Sequence, residues 1–437
     1  MIARSRPSEA ARTIMANLGW LLASRGATVV LSLFYLAIAT RTLGVKDFGR
    51  FALITGGSQA LATLVGFQTW QVVVRFGVDL TGKKDNHRLA RLIRICLQLD
   101  LASAVTGVAL AAVIVFLAGD LINIRAEHTH ATFAYAVVQL ITLRSTAVGV
   151  LRLRDRFSWA AVADSVTPAM RLLGAFTAAL VQPTVIGFLM GWAVAEVATA
   201  LVYWAMLLRS GDLRQALRRD QHAAAPEGLL RFMLTTNLAS TLGLSTKQLP
   251  LLIVGGTGGV AAAGAFRLAL QIAQGLSKLA QMVSRAAFPE IMRHVRTADA
   301  EKVVRTALRG LGAASLGGVV VLAVITASGH WLLDLIGGPQ FVRAYPALVW
   351  LAAAGCVDLA VVGFEPILFG AGRSGAALIV RALAVALQIA TTILLLPMLD
   401  NTAAAIGVFV ASVSSALLLI GAVVSLRRGR PAISEPA

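Results

Sequence analysis

The chain has 437 residues, of which 57% are hydrophobic and 14% are charged. Soluble globular proteins carry about 25% charged residues, so this composition excludes a chain built mainly of soluble domains. The formal net charge of +18 could indicate a nucleic-acid-binding protein, but the basic residues lie mostly in short loops between apolar segments. We therefore expect a multi-pass membrane protein that does not bind nucleic acid.

Twelve apolar segments follow one another along the chain, each close to the roughly 20 residues that a membrane-spanning helix needs. They lie near 17–39, 50–72, 95–118, 131–151, 158–180, 184–208, 231–254, 260–285, 308–333, 344–370, 375–396 and 402–425. The pattern predicts an all-α integral membrane protein. The first segment is too long for the core of a signal peptide and is interpreted as a retained first span.

Lysine and arginine are distributed unevenly between alternate loops. One set of loops, together with the two termini, holds 26 of the 39 basic residues, and the other set holds five. Because cytoplasmic loops carry the excess of basic residues, both termini are predicted to be cytoplasmic and the number of spans to be even. The same loops are expected to contact anionic lipid headgroups.

A short internal repeat indicates two halves. Segments 44–53 and 259–268 place Gly-Val, Gly, Phe and Leu at identical spacing. Each copy joins the first and second spans of a six-span half, so the repeat predicts bundles at 1–220 and 221–437 related by a pseudo-two-fold axis along the membrane normal. Cargo is expected to bind between the halves near the membrane midplane.

Residues 260–285 carry a polar stripe on an otherwise apolar predicted helix. At about 100° per residue, its six members lie within roughly 40° of one line. They are Arg267, Gln271, Gln274, Lys278, Gln281 and Arg285. A helix in lipid keeps such a stripe only where it faces water, protein or a ligand. The stripe therefore predicts the wall of a cationic cavity for an anionic cargo.

Other charged residues also lie deep within predicted spans. The basic ones are Arg25, Arg171, Lys247 and Arg381, and the acidic ones are Asp164, Glu196, Asp358 and Glu365. The basic residues, with the stripe members up to Gln281, are predicted to bind substrate, since guanidinium groups suit phosphate and carboxylate. The acidic residues are candidates for coupling-ion binding. Ion pairing across helices is an alternative, left open for Asp164 and Arg171 and favoured, with snorkelling, for Arg144.

Catalytic and metal-binding patterns are missing from the sequence. It contains no P-loop and no arrangement of nucleophile, base and acid, and a lone His128-Thr-His130 is a weak metal signal. Cys96 and Cys356 sit singly in apolar segments, so no disulfide is expected. The sequence thus predicts a transporter that needs neither cofactor nor metal.

Several motifs carry a resemblance to a known family. They are Asn17, Arg25, the run 40–51 (TRTLGVKDFGRF), Gly264-Ala265-Phe266, Phe288-Pro289-Glu290 and the run 369–373 (FGAGR). With them, the chain resembles the bacterial oligosaccharide flippases of polysaccharide and O-antigen synthesis. These belong to the superfamily of multidrug and oligosaccharidyl-lipid exporters that also includes the peptidoglycan lipid flippase.

The resemblance implies a V-shaped inner-membrane protein of two six-helix bundles with a central cavity. It implies a cargo of undecaprenyl pyrophosphate bearing an oligosaccharide, moved by alternating access during polysaccharide or lipopolysaccharide synthesis. Arg25, Arg267 and Lys278 would match the family's basic cavity residues, and a polysaccharide polymerase and chain-length regulator would be partners. A multidrug or metabolite exporter of the same fold is the first alternative. A membrane glycan polymerase or ligase is the second, although the short outside loops disfavour it.

Overall fold

The computed structural model is all-α over the residues that it describes: 7–82, 85–117, 126–217, 228–295, 300–364, 367–368, 374–399 and 402–425. Only the backbone is described for 7–27, 82, 126, 157, 214–215, 217, 239, 244–247, 276, 278–295, 300–310, 313 and 374.

The helices, in chain order, are α1 (Pro7–Val65), α2 (Thr69–Gly82), α3 (Asn86–Ala112), α4 (Ala126–Ile141), α5 (Ser145–Leu153), α6 (Phe157–Val181), α7 (Val185–Ser210), α8 (Asp212–Leu217), α9 (Leu229–Lys247), α10 (Leu249–Val295), α11 (Ala300–Gly337), α12 (Tyr345–Ala360), α13 (Ser374–Leu399) and α14 (Thr402–Val424). A π-helical turn, Val113–Leu117, continues α3, and a 3-10 helix, Pro339–Ala344, joins α11 to α12.

Packing divides the chain into two compact units. One unit joins residues 1–34 to residues 265–437, and the other is residues 35–264. Within the first unit, α11 packs on α12, and α14 packs on both α12 and α13. Within the second unit, α6 packs on α7, α2 on α5, and α3 on α2, α4 and α8. The division of the sequence into halves at 1–220 and 221–437 stays a prediction.

Nine segments of the described chain are long and apolar enough to cross a bilayer. They are Thr28–Thr81, Asn86–Leu117, Glu127–Leu153, Val185–Ser210, Leu249–Gly275, Ala314–Gly337, Pro339–Ala360, Gly375–Leu399 and Thr402–Val424. The first of them covers two predicted spans. Helices α6 and α9 occupy two further predicted spans but carry polar residues inside the apolar run, Asp164 and Arg171 in α6 and several Thr, Ser and Asn in α9.

Many large apolar side chains on these helices are exposed, among them Leu101 and Val105 of α3 and Leu316 and Val319 of α11. Hydrocarbon lipid solvates such side chains at no cost, whereas water would not. The predicted fold class is confirmed: the chain is an all-α, multi-pass membrane protein.

The two copies of the sequence repeat form matching kinks. Gly44 within α1 has φ 69° and ψ 178°, and Gly259 within α10 has φ 78° and ψ 179°. A positive φ is open to glycine but strained for residues with a Cβ. The repeat therefore produces the same change of helix direction twice. Each kink lies immediately before the Gly, Phe and Leu residues that have the same spacing in both copies.

The segments after the two kinks pack against each other within the unit of residues 35–264. A Cβ on Gly49 would lie 1.7 Å from the carbonyl oxygen of Val260, and a Cβ on Gly264 would lie 2.3 Å from that of Val45. Each copy thus presents a glycine to the backbone of the other copy. Such a reciprocal contact is the hallmark of a two-fold relation between equivalent elements.

Two membrane segments are interrupted within the predicted second and fourth spans. Residues 66–68 separate α1 from α2, and residues 142–144 separate α4 from α5. At the first break, a Cβ on Gly66 would lie 2.5 Å from the carbonyl oxygen of Ala62, so the local turn requires glycine. At the second, the Thr142 hydroxyl donates to a carbonyl three residues earlier, which competes with helix continuation.

Candidate functional site

A cavity of about 310 Å³ lies beside the two helix breaks, within the unit of residues 35–264. We call it the break cavity. Its polar lining includes Gln59, Gln68, Asp100, Ser103, Gln139 and Arg144. Asp100 is near the middle of the Asn86–Leu117 segment, about 21 Å from one end and about 25 Å from the other at 1.5 Å per residue. The cavity therefore lies midway along this helical segment and not at either of its ends.

The carboxylate of Asp100 joins the first residues of two helices. Its Oδ1 accepts a hydrogen bond from the Thr69 hydroxyl (2.8 Å) at the start of α2. Its Oδ2 accepts from the hydroxyl (2.7 Å) and the backbone N–H (3.2 Å) of Thr146 at the start of α5. Each helix N-terminus carries about half a positive charge, so two of them balance one carboxylate. Asp100 thus stabilises the two breaks beside each other.

A second bond ties the breaks together directly. The backbone N–H of Trp70 donates to the Ser145 hydroxyl at 3.2 Å. On the cavity wall, the Gln139 side-chain amide donates to the Gln59 side-chain oxygen at 3.3 Å, and the Trp70 indole N–H donates to the Gln68 side-chain oxygen at 3.0 Å. The side chains that line the cavity are therefore held by bonds from four helices.

A buried carboxylate on α7 holds two arginines. Glu196, 2% exposed, accepts a hydrogen bond at Oε1 from Arg171 Nη2 (2.7 Å), and its Oε2 lies 3.0 Å from Arg144 Nη1. The Arg144 contact has ion-pair distance without hydrogen-bond alignment. The Arg171 guanidinium also lies 5.7 Å from the ring centre of Trp192, within reach of a cation–π interaction. Arg144 therefore links the break cavity to the α6–α7 pair.

The polar face of α6 packs against α7. The Tyr203 hydroxyl donates to Asp164 Oδ1 (2.6 Å), and the hydroxyls of Thr167 and Thr199 lie 2.8 Å apart. With the Arg171–Glu196 pair, three successive positions on this face make contacts across the helix boundary. Asp164, Arg171 and Glu196, candidates for coupling and cargo binding in the sequence, thus each have a cross-helix partner that stabilises the bundle.

The described part of the polar stripe on α10, which we call the α10 stripe, is more exposed than the apolar residues around it. In residues 265–275, all of which except Gly275 are stripe or apolar positions, Arg267, Gln271 and Gln274 are half-buried while the apolar side chains are buried. The helix thus turns its apolar faces to other protein groups and leaves its polar face the more open one. For a lipid-facing helix the opposite pattern is expected.

The remaining predicted residues are partly described. Arg381 is half-buried on α13, with Gln388 buried two turns further along, and Asp358 is exposed on α12. The side chains of Arg25, Lys247, Lys278, Gln281 and Glu365 lie outside the described residues. Asp358 and Arg381 each interact with another group of the protein.

Sequence reasoning missed the break cavity. It took Arg144 as a pairing or snorkelling residue and gave no role to Gln59, Asp100, Gln139 or Tyr203. One available signal was polar residues at the centres of apolar runs, namely Gly-Phe-Gln-Thr at 66–69 and Thr-Leu-Arg-Ser-Thr at 142–146. Two such runs in neighbouring spans are typical of interrupted helices.

Known proteins share this architecture. No protein-family model matches the chain. The inner membrane protein YghQ of Escherichia coli (strain K12) is 27% identical over 340 residues, which cover 76% of this chain and 95% of that protein. The lipid II flippase MurJ, in an inward closed conformation, matches with a TM-score of 0.70 and 11% identity, over 92% of this chain and 87% of MurJ.

Two further solved structures belong to the same comparison. An inward-facing multidrug resistance MATE family transporter of the MOP superfamily matches with a TM-score of 0.62 and 17% identity, over 91% of this chain and 96% of that one. A MOP superfamily transporter from Pyrococcus furiosus Vc1 gives 0.58 and 17%, over 94% and 96%. The chain has the fold of MOP-superfamily transporters. The predicted fold is thereby confirmed, and the oligosaccharide branch stays a prediction.

Proposed function

We propose that the protein is a flippase that moves an undecaprenyl-pyrophosphate-linked oligosaccharide across the bacterial inner membrane by alternating access. The observation that carries the proposal is the α10 stripe, whose described members Arg267, Gln271 and Gln274 are half-buried among fully buried apolar neighbours. A membrane helix that presents its amides and a guanidinium on its more open face is suited to a polar, anionic cargo.

The chemistry of the stripe fits both parts of such a cargo. Guanidinium and ammonium groups form charge-assisted hydrogen bonds with phosphate oxygens, the role proposed for Arg25, Arg267 and Lys278. Side-chain amides offer donors and acceptors together, so Gln271, Gln274 and Gln281 would bind phosphate oxygens or sugar hydroxyls. We assign weaker substrate roles to Lys247 and Arg381. Arg171 is better explained by its pair with Glu196.

The comparisons support the proposal without choosing the cargo. MurJ is a lipid II flippase and gives a TM-score of 0.70, and the relative at 27% identity is an inner membrane protein. We therefore propose an inner-membrane location, cytoplasmic termini, and a place beside the polymerase and chain-length regulator that would use the flipped product.

A multidrug exporter on the same fold is the second candidate. The observation that favours it is the carboxylate content of the spans, with Asp164 and Asp358 on exposed positions of α6 and α12, together with the MATE transporter match. Carboxylates suit cationic drugs. In the flippase, Asp164 and Asp358 would serve a coupling ion, a role for which Glu196 is less suited because it already balances two arginines.

Transport in vesicles tests the proposal. Purified protein is reconstituted with a fluorescent undecaprenyl-pyrophosphate saccharide, and flipping is followed by the fraction that an impermeant quencher reaches. The double variant Arg267→Ala with Lys278→Ala should flip at least about tenfold more slowly, since one hydrogen bond to a charged group is worth about 1.5–3 kcal/mol. Arg231→Ala, an exposed arginine on α9, is the matched control and should flip within twofold of wild type.

The exporter hypothesis makes the opposite forecast in the same vesicles. It predicts efflux of a cationic dye and no flipping of the saccharide lipid. Normal flipping by the double variant would remove the α10 stripe from the mechanism, and dye efflux without flipping would replace the proposed function by its alternative.

A further inference from the structure

The break cavity has the size of a small-molecule site, and most of the hydrogen-bonding residues on its wall are uncharged. Its volume of about 310 Å³ falls at the lower end of ligand pockets, which run from about 300 to 1,000 Å³. Three glutamines line it, at 59, 68 and 139, together with Thr63 and Ser103. A primary amide has two donor and two acceptor positions, and the bonds described above use only some of them.

The charged groups on the wall are already balanced. Both Asp100 oxygens accept from Thr69 and Thr146 at helix N-termini, and Arg144 pairs with Glu196. A charged ligand would therefore find no unpaired countercharge among the residues that line the cavity. The electrostatics therefore favour a ligand without net charge.

Ser103 supplies an independent indication of a ligand. It is 7% exposed and lines the cavity, yet its hydroxyl is buried without a hydrogen-bond partner within the part of the chain that the structure describes. Buried polar atoms in folded proteins are nearly always bonded, so a rotation of the Ser103 side chain toward the cavity would give its hydroxyl a partner in a bound ligand.

The cavity is too wide for a bare ion. A sphere of about 310 Å³ has a radius of about 4 Å, whereas oxygen ligands hold a metal ion such as Ca²⁺ at about 2.3–2.6 Å. Amides and hydroxyls spaced around a wider space instead match the hydroxyls of a pyranose ring, each of which both donates and accepts.

We infer that the break cavity binds one neutral sugar ring through Gln59, Gln139 and Ser103. The link to cargo rests on the proposed function: the ring would be a sugar of the lipid-linked oligosaccharide. The Asp100 contacts position the site by fastening the two helix breaks, and Asp100 itself does not bind the sugar.

Binding of free sugars tests the inference without transport. The detergent-purified protein is titrated with uncharged probes, namely hexoses, N-acetylhexosamines and a neutral disaccharide. Intrinsic tryptophan fluorescence reports binding, because Trp70 lines the cavity. At least one probe should saturate with a Kd near 1 mM, the affinity expected for a ligand of about a dozen heavy atoms.

Variants locate the site. Gln139→Leu and Ser103→Ala should each weaken binding about fivefold to tenfold, the loss of one or two hydrogen bonds, and Ser103→Leu should abolish it by filling the space. Gln98→Leu and Ser165→Leu, at exposed positions of α3 and α6, are matched controls and should bind as wild type. Size-exclusion chromatography and thermal melting verify folding, and Ser103→Ala, which adds no volume, keeps the test valid where Ser103→Leu does not fold.

Each alternative outcome overturns the inference. The first is that no probe gives a saturable response. The second is that Gln139→Leu and Ser103→Ala bind sugar as tightly as wild type. The third is a melting temperature that is higher in NaCl than in choline chloride, by a difference that these same variants remove. Failure of the proposed function gives a different result: saccharide lipid is not flipped, yet free sugar still binds and the variants still weaken it. Flipping with no sugar binding overturns the cavity alone.

Discussion

Gly49→Ala is a severe test of the reciprocal contact between the two repeat copies. The added Cβ would lie 1.7 Å from the Val260 carbonyl oxygen and 2.6 Å from its carbon. Ordinary van der Waals contact begins at 3.4 Å, so the overlap with the oxygen is about 1.7 Å. The oxygen and the carbon of Val260 are both backbone atoms, so no side-chain rotation relieves the clash. The two helix segments must therefore separate along the line between them.

The energetic cost follows from that separation. Overpacking in a tight core costs about 1–3 kcal/mol, and a purely backbone clash belongs at the upper end, so we expect about 3 kcal/mol for Gly49→Ala and a similar loss for Gly264→Ala. Once either change has moved the helices apart, the second methyl group finds space. The double variant should therefore lose clearly less than the sum of the two, by about 1–3 kcal/mol of coupling.

Thermal melting and size-exclusion chromatography of the purified variants measure the effect. Gly256→Ala is the matched control, because it lies on the same α10 and its added Cβ meets nothing within 4 Å among the described residues. It should melt at or slightly above the wild-type temperature. Wild-type stability of Gly49→Ala, or strictly additive losses in the double variant, would refute the reciprocal contact.

Three further changes have defined outcomes. Gly259→Ala should cost about 1–2 kcal/mol through its positive φ alone, since no atom of the described chain lies within 4 Å of its Cβ; equal melting with Gly256→Ala would contradict this. Glu196→Gln should destabilise by about 3 kcal/mol, the lower end for breaking a buried pair, because it leaves two half-buried arginines unbalanced. Adding Arg171→Met should recover part of the melting temperature; no recovery would contradict the ion pair as its cause. Asp100→Asn should cost about 3 kcal/mol, as one amide oxygen cannot accept from both helix starts, and should lower sugar binding in parallel; a melt unchanged from wild type would contradict its fastening role.

The fold was largely predictable because lipid narrows the possibilities. A chain that spans a bilayer must form all its backbone hydrogen bonds within helices or a closed barrel. Long apolar runs therefore predict helices directly. The repeat at 44–53 and 259–268 was visible as spacing, and the structure gives it a physical meaning: Gly44 and Gly259 have nearly the same φ and ψ. What spacing alone did not indicate is that the two copies touch.

The site was less predictable because its contacts cross helices. Positions on one helix face can be read from sequence, and Asp164, Thr167 and Arg171 do share a face. Their partners could not be read, since Arg171 meets Glu196 only after α6 and α7 pack. The helix breaks were hidden for a different reason. Hydropathy is averaged over a window, and a three-residue interruption such as 142–144 barely lowers the mean of the apolar residues around it.

Contact between the α10 stripe and the cargo is the most direct measurement of the central claim. A photo-crosslinking amino acid is placed at Gln271, and at lipid-exposed Leu316 of α11 as the control. The protein is then irradiated in vesicles with radiolabelled undecaprenyl-pyrophosphate saccharide. Labelling at position 271, at least several-fold above that at 316 and reduced by excess unlabelled saccharide lipid, is the predicted result. Equal labelling at both positions, or labelling at 271 that a cationic drug removes and the saccharide lipid does not, would contradict it.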